Sequence, residues 1–130
     1  MRLNRRGIIA AALSGAVGRW LGIDGAQAAY GEDFVPAIHA AAARHGADGA
    51  FLVEVMWCES AGDPHALNPA TGDAGLFQYQ ASTFWRFAEL SGIACTDHWN
   101  PWEQIELTAW AFGAGYCDHW VCGCWDGSPS

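Results

Sequence analysis

The sequence predicts a small, mainly α-helical domain with one long ordered loop and at most a minor β-hairpin beside the second helix. Three observations predict it. With 130 residues and 52% hydrophobic composition, the chain supports one domain with its own core and is too apolar for wholesale disorder. Apolar residues recur at three- and four-residue spacing in separate stretches. Between the second and third stretches lies "SAGDPHALNPATGDAG", a run dense in Gly, Pro, Asn and Asp that breaks helices and builds turns.

Each element has a local signature. "DFVPAIHAAAARH" (Asp33 to His45) is alanine-rich, carries Val35, Ile38 and Ala42 at helical spacing, and is closed by Gly46. Asp48 caps a second helix reaching about Glu59, with Leu52, Val55 and Met56 as its apolar stripe. After the polar loop, "LFQYQ" alternates enough for a short strand or an extended turn. "STFWRFAEL" forms a third helix stopped by Gly92. Asn100, Pro101 and Glu103 supply a cap, a first-turn proline and an acid for a fourth helix, "PWEQIELTAWAF", which ends near Gly113 or Gly115. A last short element carries "HWVCGCW", and residues 126–130 read as a flexible tail.

The first residues have a different character. Arg2, Arg5 and Arg6 precede an apolar stretch from Gly7 to Gly18, and "AQAA" offers a small-residue cleavage site after Ala28. That order is an export signal over residues 1–28, and Arg5-Arg6 before "GIIAA" is similar to the twin-arginine type. The stretch is too short to span a bilayer, so a domain over residues 29–125 is expected to be secreted or periplasmic, without a membrane anchor, and monomeric.

Four of the six basic residues and one of the fourteen acids fall in that signal. The remainder carries Arg44 and Arg86 against thirteen acids, a formal charge of −11. Phosphate backbones and anionic lipids are bound by clustered Lys and Arg, so nucleic acid is not an expected partner. A polymer recognised by stacking and hydrogen bonds fits better. Of five cysteines, four fit two disulfides in an oxidising compartment, with one left over. The alternative is zinc, because Cys117, His119, Cys122 and Cys124 lie close together; a single tight cluster is poorly suited to a tetrahedral site, and no metal or cofactor is expected.

Glu59 carries the chemistry. It lies four residues after Val55 and three after Met56, on the face that packs inward, and next to Trp57. An acid desolvated by aromatic neighbours holds its proton to higher pH, the state a general acid needs; lysozyme's glutamate beside a tryptophan is an established instance.

"CESAGDPHALNPATGDAGLFQ" closely resembles lysozyme-like soluble lytic transglycosylases and resuscitation-promoting-factor domains. The matching features are a helix-ending Glu59-Ser60, the Gly/Asn/Pro loop, Gly75-Leu76-Phe77-Gln78, and Ser82-Thr83-Phe84-Trp85 at a helix start, within a likeness covering about Phe51 to Gly123. The resemblance implies a lysozyme-like fold, peptidoglycan glycan strands as substrate, and Glu59 as the catalytic acid. It implies that Gln78 lines the saccharide cleft and that Ser60 helps position the intermediate. It also implies a Cys58–Cys122 disulfide, with Cys95–Cys117 as the second pair. The family's third motif, Ala-Tyr-Asn-Ala-Gly, has its nearest match in Ala111-Phe112-Gly113-Ala114-Gly115. Phe112 replaces the tyrosine and lacks the hydroxyl that would bond the glutamate. Phe112 joins Gln78 and Tyr79 as a cleft candidate, and Trp99 and Trp102 are candidates for stacking on sugar rings.

A retaining glycosidase needs a second carboxylate at about 5–5.5 Å and an inverting one a base at about 6.5–9.5 Å. Asp63, before Pro64, reads as a turn former, and Asp73 as a loop acceptor and a candidate helper. A lone glutamate suits lytic transglycosylation, in which the muramyl 6-hydroxyl attacks within the same sugar and no second enzymic carboxylate is required. Muramidase-type hydrolysis and a non-catalytic glycan-binding module are the alternatives.

Overall fold

The computed structural model describes residues 25–123. Residues 1–24 of the expected export signal, Cys124 and the 126–130 tail lie outside the described residues. Four α-helices and a 3-10 turn follow in order: α1 Gly25–His45, α2 Gly49–Ser60, α3 Ala81–Ser91, α4 Pro101–Ala114, and the turn Cys117–His119. The mainly helical class expected from the sequence is the class observed. Among the described residues, no helix is long and apolar enough to cross a membrane.

The caps read from the sequence form as expected. Asp48 accepts from the Phe51 N–H, and Asn100 accepts from Trp102 and Glu103 N–H ahead of Pro101. Gly92 and Gly115 close α3 and α4 in the left-handed conformation, at φ 77° and 94°. One boundary differs: α1 starts at Gly25, eight residues before the expected Asp33, and runs through both Pro36 and the "AQAA" stretch. Alanine-rich sequence sustains a helix readily, and exposed Pro36 costs it one backbone bond without ending it.

Helix α2 packs antiparallel on α1, and α4 lies along α1 in the same direction. Phe34 meets Trp102 edge-on at 4.9 Å near one end, and Arg44 bonds Glu106 nearer the other. The core is Ile38, Ala41 and Ala42 of α1, Leu52, Val55 and Met56 of α2, Phe84 and Phe87 of α3, and Ile105, Leu107, Ala109 and Ala111 of α4. The expected hairpin shrinks to two isolated antiparallel bridges, Leu67 with Ala74 and Ala74 with Tyr79. "LFQYQ" is a tight turn rather than a strand. Ala74 and Tyr79 exchange both backbone bonds at 2.9 Å across it, with Gly75 and Gln78 at φ 84° and 55°.

Cys58 and Cys122 form a disulfide across a separation of 64 residues, worth ~4 kcal/mol on a chain-entropy estimate. The expected Cys95–Cys117 pair is not formed. Cys95 is a free thiol, and Cys117 is bonded in another disulfide. The two sit at opposite ends of α4, which is roughly 20 Å long at 1.5 Å per residue. Thr96 and Asp97 next to Cys95 dock on Glu103 in the first turn, whereas Cys117 follows the last. Burial pushes the Cys95 thiol up to about 11, so it is un-ionised at neutral pH. Disulfide bonding of Cys117 and Cys122 also removes two of the thiolates that the zinc alternative requires.

Candidate active site

Glu59 is the penultimate residue of α2, and the end of that helix is built to hold it. Ala61 adopts the left-handed conformation (φ 55°) and its N–H closes on the Trp57 carbonyl. Gly62 follows at φ 77°. A Cβ there, or at Gly31 of α1, would overlap the Trp57 indole, so both glycines exist to let that ring pack. Ser60 is buried, with its hydroxyl donating to the Met56 carbonyl at 3.2 Å and accepting from Gly62 N–H. The structure therefore places Ser60 as the lock on the helix end, with its hydroxyl engaged by backbone groups.

The polar loop is ordered by its own side chains. Asp63 accepts from His65 N–H and Asn68 from Ala70 N–H, while Thr71 accepts from Asp73 N–H. Asp63 is thus the turn former expected. Gln78 pins the loop's return by donating Nε2 to the Ala66 and Gly75 carbonyls.

Helix α4 secures the loop from behind through Gln104, a residue the sequence reading did not single out. Wholly buried, it accepts from Phe77 N–H at 2.8 Å and donates to the carbonyls of Ala74 at 3.0 Å and His98 at 2.6 Å. Gly75 leaves room for this amide, since a Cβ there would meet it. The available signal was a glutamine and Thr108 one turn apart on an otherwise apolar helix face.

The Glu59 carboxyl is half-buried. Its Oε2 accepts from Cys122 N–H at 3.3 Å, and the Val121 N–H also acts on the carboxyl. Burial pushes its pKa above the ordinary glutamate value; the two N–H donors oppose that shift, and the negative charge of Asp73 reinforces it. Asp73 is therefore an electrostatic neighbour of Glu59. Among the described residues no Arg or His is counted among the groups acting on Glu59.

Asp73 lines a cavity of about 260 Å³ with Gln78, Tyr79, Gln80, Thr83, His119 and Trp120. Gln78 thus borders the cavity that Asp73 lines. Tyr79 does not offer a stacking face: its ring is in the core, edge-on to Phe84, Phe87 and Trp120, and its hydroxyl bonds Thr108 at 3.0 Å. The tight turn explains the difference, because the bridge to Ala74 directs residue 79 inward. Phe112 is half-buried between Phe51 and Trp120 at 6.0 and 5.0 Å. Trp99 and Trp102 line a separate and larger open groove of about 870 Å³, with Asp33, Phe34 and His65. Trp102 is 54% exposed there, and Glu59 is not part of that groove.

A family model described as "Transglycosylase SLT domain" matches residues 36–116, well over half of the chain. No curated protein matches the chain.

Proposed function

The chain belongs to the SLT transglycosylase domain family, a lysozyme-like lytic transglycosylase type that acts on peptidoglycan, and from that premise we propose a specific activity. It is an exported enzyme, released from residues 1–28, that cleaves the MurNAc–GlcNAc β-1,4 bond by lytic transglycosylation with Glu59 as its single catalytic carboxyl.

The observation that carries this reading is the environment of Glu59. A half-buried carboxyl with a raised pKa, a neighbouring negative charge and, among the described residues, no cation acting on it keeps its proton to higher pH than an ordinary glutamate. Protonated Glu59 gives that proton to the glycosidic oxygen as the C1–O4 bond breaks. The carboxylate left behind and Asp73 favour the positive charge that develops at the sugar. Glu59 then takes the proton of the muramyl 6-hydroxyl, whose oxygen bonds C1 to close a 1,6-anhydro ring. Glu59 ends the cycle protonated, and no water is consumed. Gln78 and the loop backbone beside it border the sugar.

Digestion of purified peptidoglycan by the protein and by Glu59→Gln, with products resolved by mass, tests this. Anhydro-muropeptides from the wild type and none from the variant support it. Hydrated reducing ends would make the enzyme a muramidase, and binding without cleavage by either protein would leave a glycan-binding module.

A further inference from the structure

The last described residues form a strap across Glu59 that is fastened on both sides. On one side, buried Trp120 donates its indole N–H to the Phe77 carbonyl at 2.8 Å and lies edge-on to Tyr79 at 5.5 Å. On the other side, Cys122 is joined to Cys58. Val121 between them is 99% exposed, so its side chain holds nothing in place. Because Cys58 and Glu59 are consecutive, adjacent side chains of α2 grip the same residue. Cys58 does so through sulfur, and Glu59 through the Cys122 N–H. The Val121 N–H reaches the same carboxyl.

We propose that the Val121 and Cys122 amides, held by Trp120 and the Cys58–Cys122 disulfide, are the positioning groups for the Glu59 carboxyl. The proposal rests on the reading of Glu59 as the catalytic group. A carboxyl that must first give a proton and then take one has to keep one orientation in both states. Two N–H donors from a fastened backbone supply that without a cation, which would hold it permanently ionised. The strap acts in two directions: it covers the carboxyl, which favours the protonated form, and it donates to it, which favours the ionised form. Among the described residues, the charged group acting on Glu59 is Asp73 from the loop, and His119 of the 3-10 turn lines a cavity with Asp73.

The test is an NMR titration of the Glu59 carboxyl, with kcat and KM on peptidoglycan fragments, in wild type, Val121→Pro and Cys58→Ser/Cys122→Ser. Val121→Pro deletes one donor while keeping the disulfide. Trp120 before it already has the extended conformation (φ −110°, ψ 136°) that a residue preceding proline requires. Glu59 should then titrate at higher pH than in the wild type, with kcat about tenfold lower and KM unchanged. The double serine variant, and the wild type reduced with a dithiol, lose cover and donors together. There the larger influence, burial, is relieved, so Glu59 should titrate at lower pH, again with kcat at least about tenfold down. An unchanged Glu59 titration in folded Val121→Pro overturns the proposal, even if its melting temperature falls, because a merely structural strap would leave the titration alone. This readout holds whether or not the protein cleaves peptidoglycan, so it fails separately from the functional reading. If the double variant does not fold, Val121→Pro decides.

Discussion

Two partly buried glutamates occupy the two ends of this bundle and titrate in opposite directions. Glu106 of α4 accepts two bonds from the Arg44 guanidinium, at 3.1 and 2.5 Å, and lies 2.6 Å from His45 Nε2. The Arg44 hydrogen bond, ahead of burial's opposing effect, holds it below the ordinary glutamate value. Among the described residues, Glu59 of α2 is met by backbone N–H donors and the like charge of Asp73, and burial holds it above that value. Partner chemistry, more than depth, separates an anchoring carboxylate from one whose pKa is raised. The sequence has no lysine, and after the expected signal it has two arginines; Arg44 serves Glu106, and Arg86 lies over the Phe87 ring at 5.5 Å.

The sharpest way to break this contrast is Glu59→Gln. It should reduce cleavage about a thousandfold while leaving the protein folded. The same variant should be more stable than the wild type at neutral pH, by less than about 1 kcal/mol after solvent screening. The sign follows from the raised pKa: the wild-type glutamate's contribution is fully present below the ordinary glutamate pKa and is lost as pH rises through the folded value. Melting curves from pH 4 to 8 should therefore converge at the acid end. Gln104→Ala attacks the support behind the Glu59 cradle, orphaning the Phe77 N–H and two carbonyls. A urea midpoint should report a loss of about 2–4 kcal/mol. Asp73→Asn removes the charge that reinforces the raised pKa of Glu59. The alkaline limb of kcat/KM should move to lower pH, with a loss of a few-fold at neutrality. Glu106→Gln should have the smallest effect, a slightly lower melting temperature with cleavage unchanged. Its lowered pKa means that the stabilisation exists above the ordinary glutamate range and disappears as pH falls through the folded value, so variant and wild type should converge in acid.

Much of this architecture was legible in short-range pattern. Asp48, Asn100-Pro101 and Gly92 mark helix ends through bonds to residues only a few positions away, and the loop's turn residues act over similar distances. The partly buried position of Glu59 was legible because its spacing from Val55 and Met56 is local. What escaped reading depends on contacts across the fold. The Cys122 N–H lies 63 residues from the carboxyl it serves, and Gln104 acts 27 residues from Phe77. Neither has a periodic signature. Tyr79 misled for a related reason, since alternation does not say which face a four-residue turn will bury. Cys95 misled because counting thiols ignores the length of the helix between them.

The Cys58–Cys122 bond has a consequence for survival among proteases. It closes a ring that contains the polar loop, α3, α4 and the 3-10 turn, leaving α1 and nearly all of α2 outside. The most accessible tip of that ring is the stretch 67–72, whose residues are all exposed. A peptidase cutting there would produce two fragments still joined through sulfur, with Glu59 and the amides that face it on the same covalent knot. Such nicked protein would run as one band without reductant and two with it, and would keep Glu59 and its strap together.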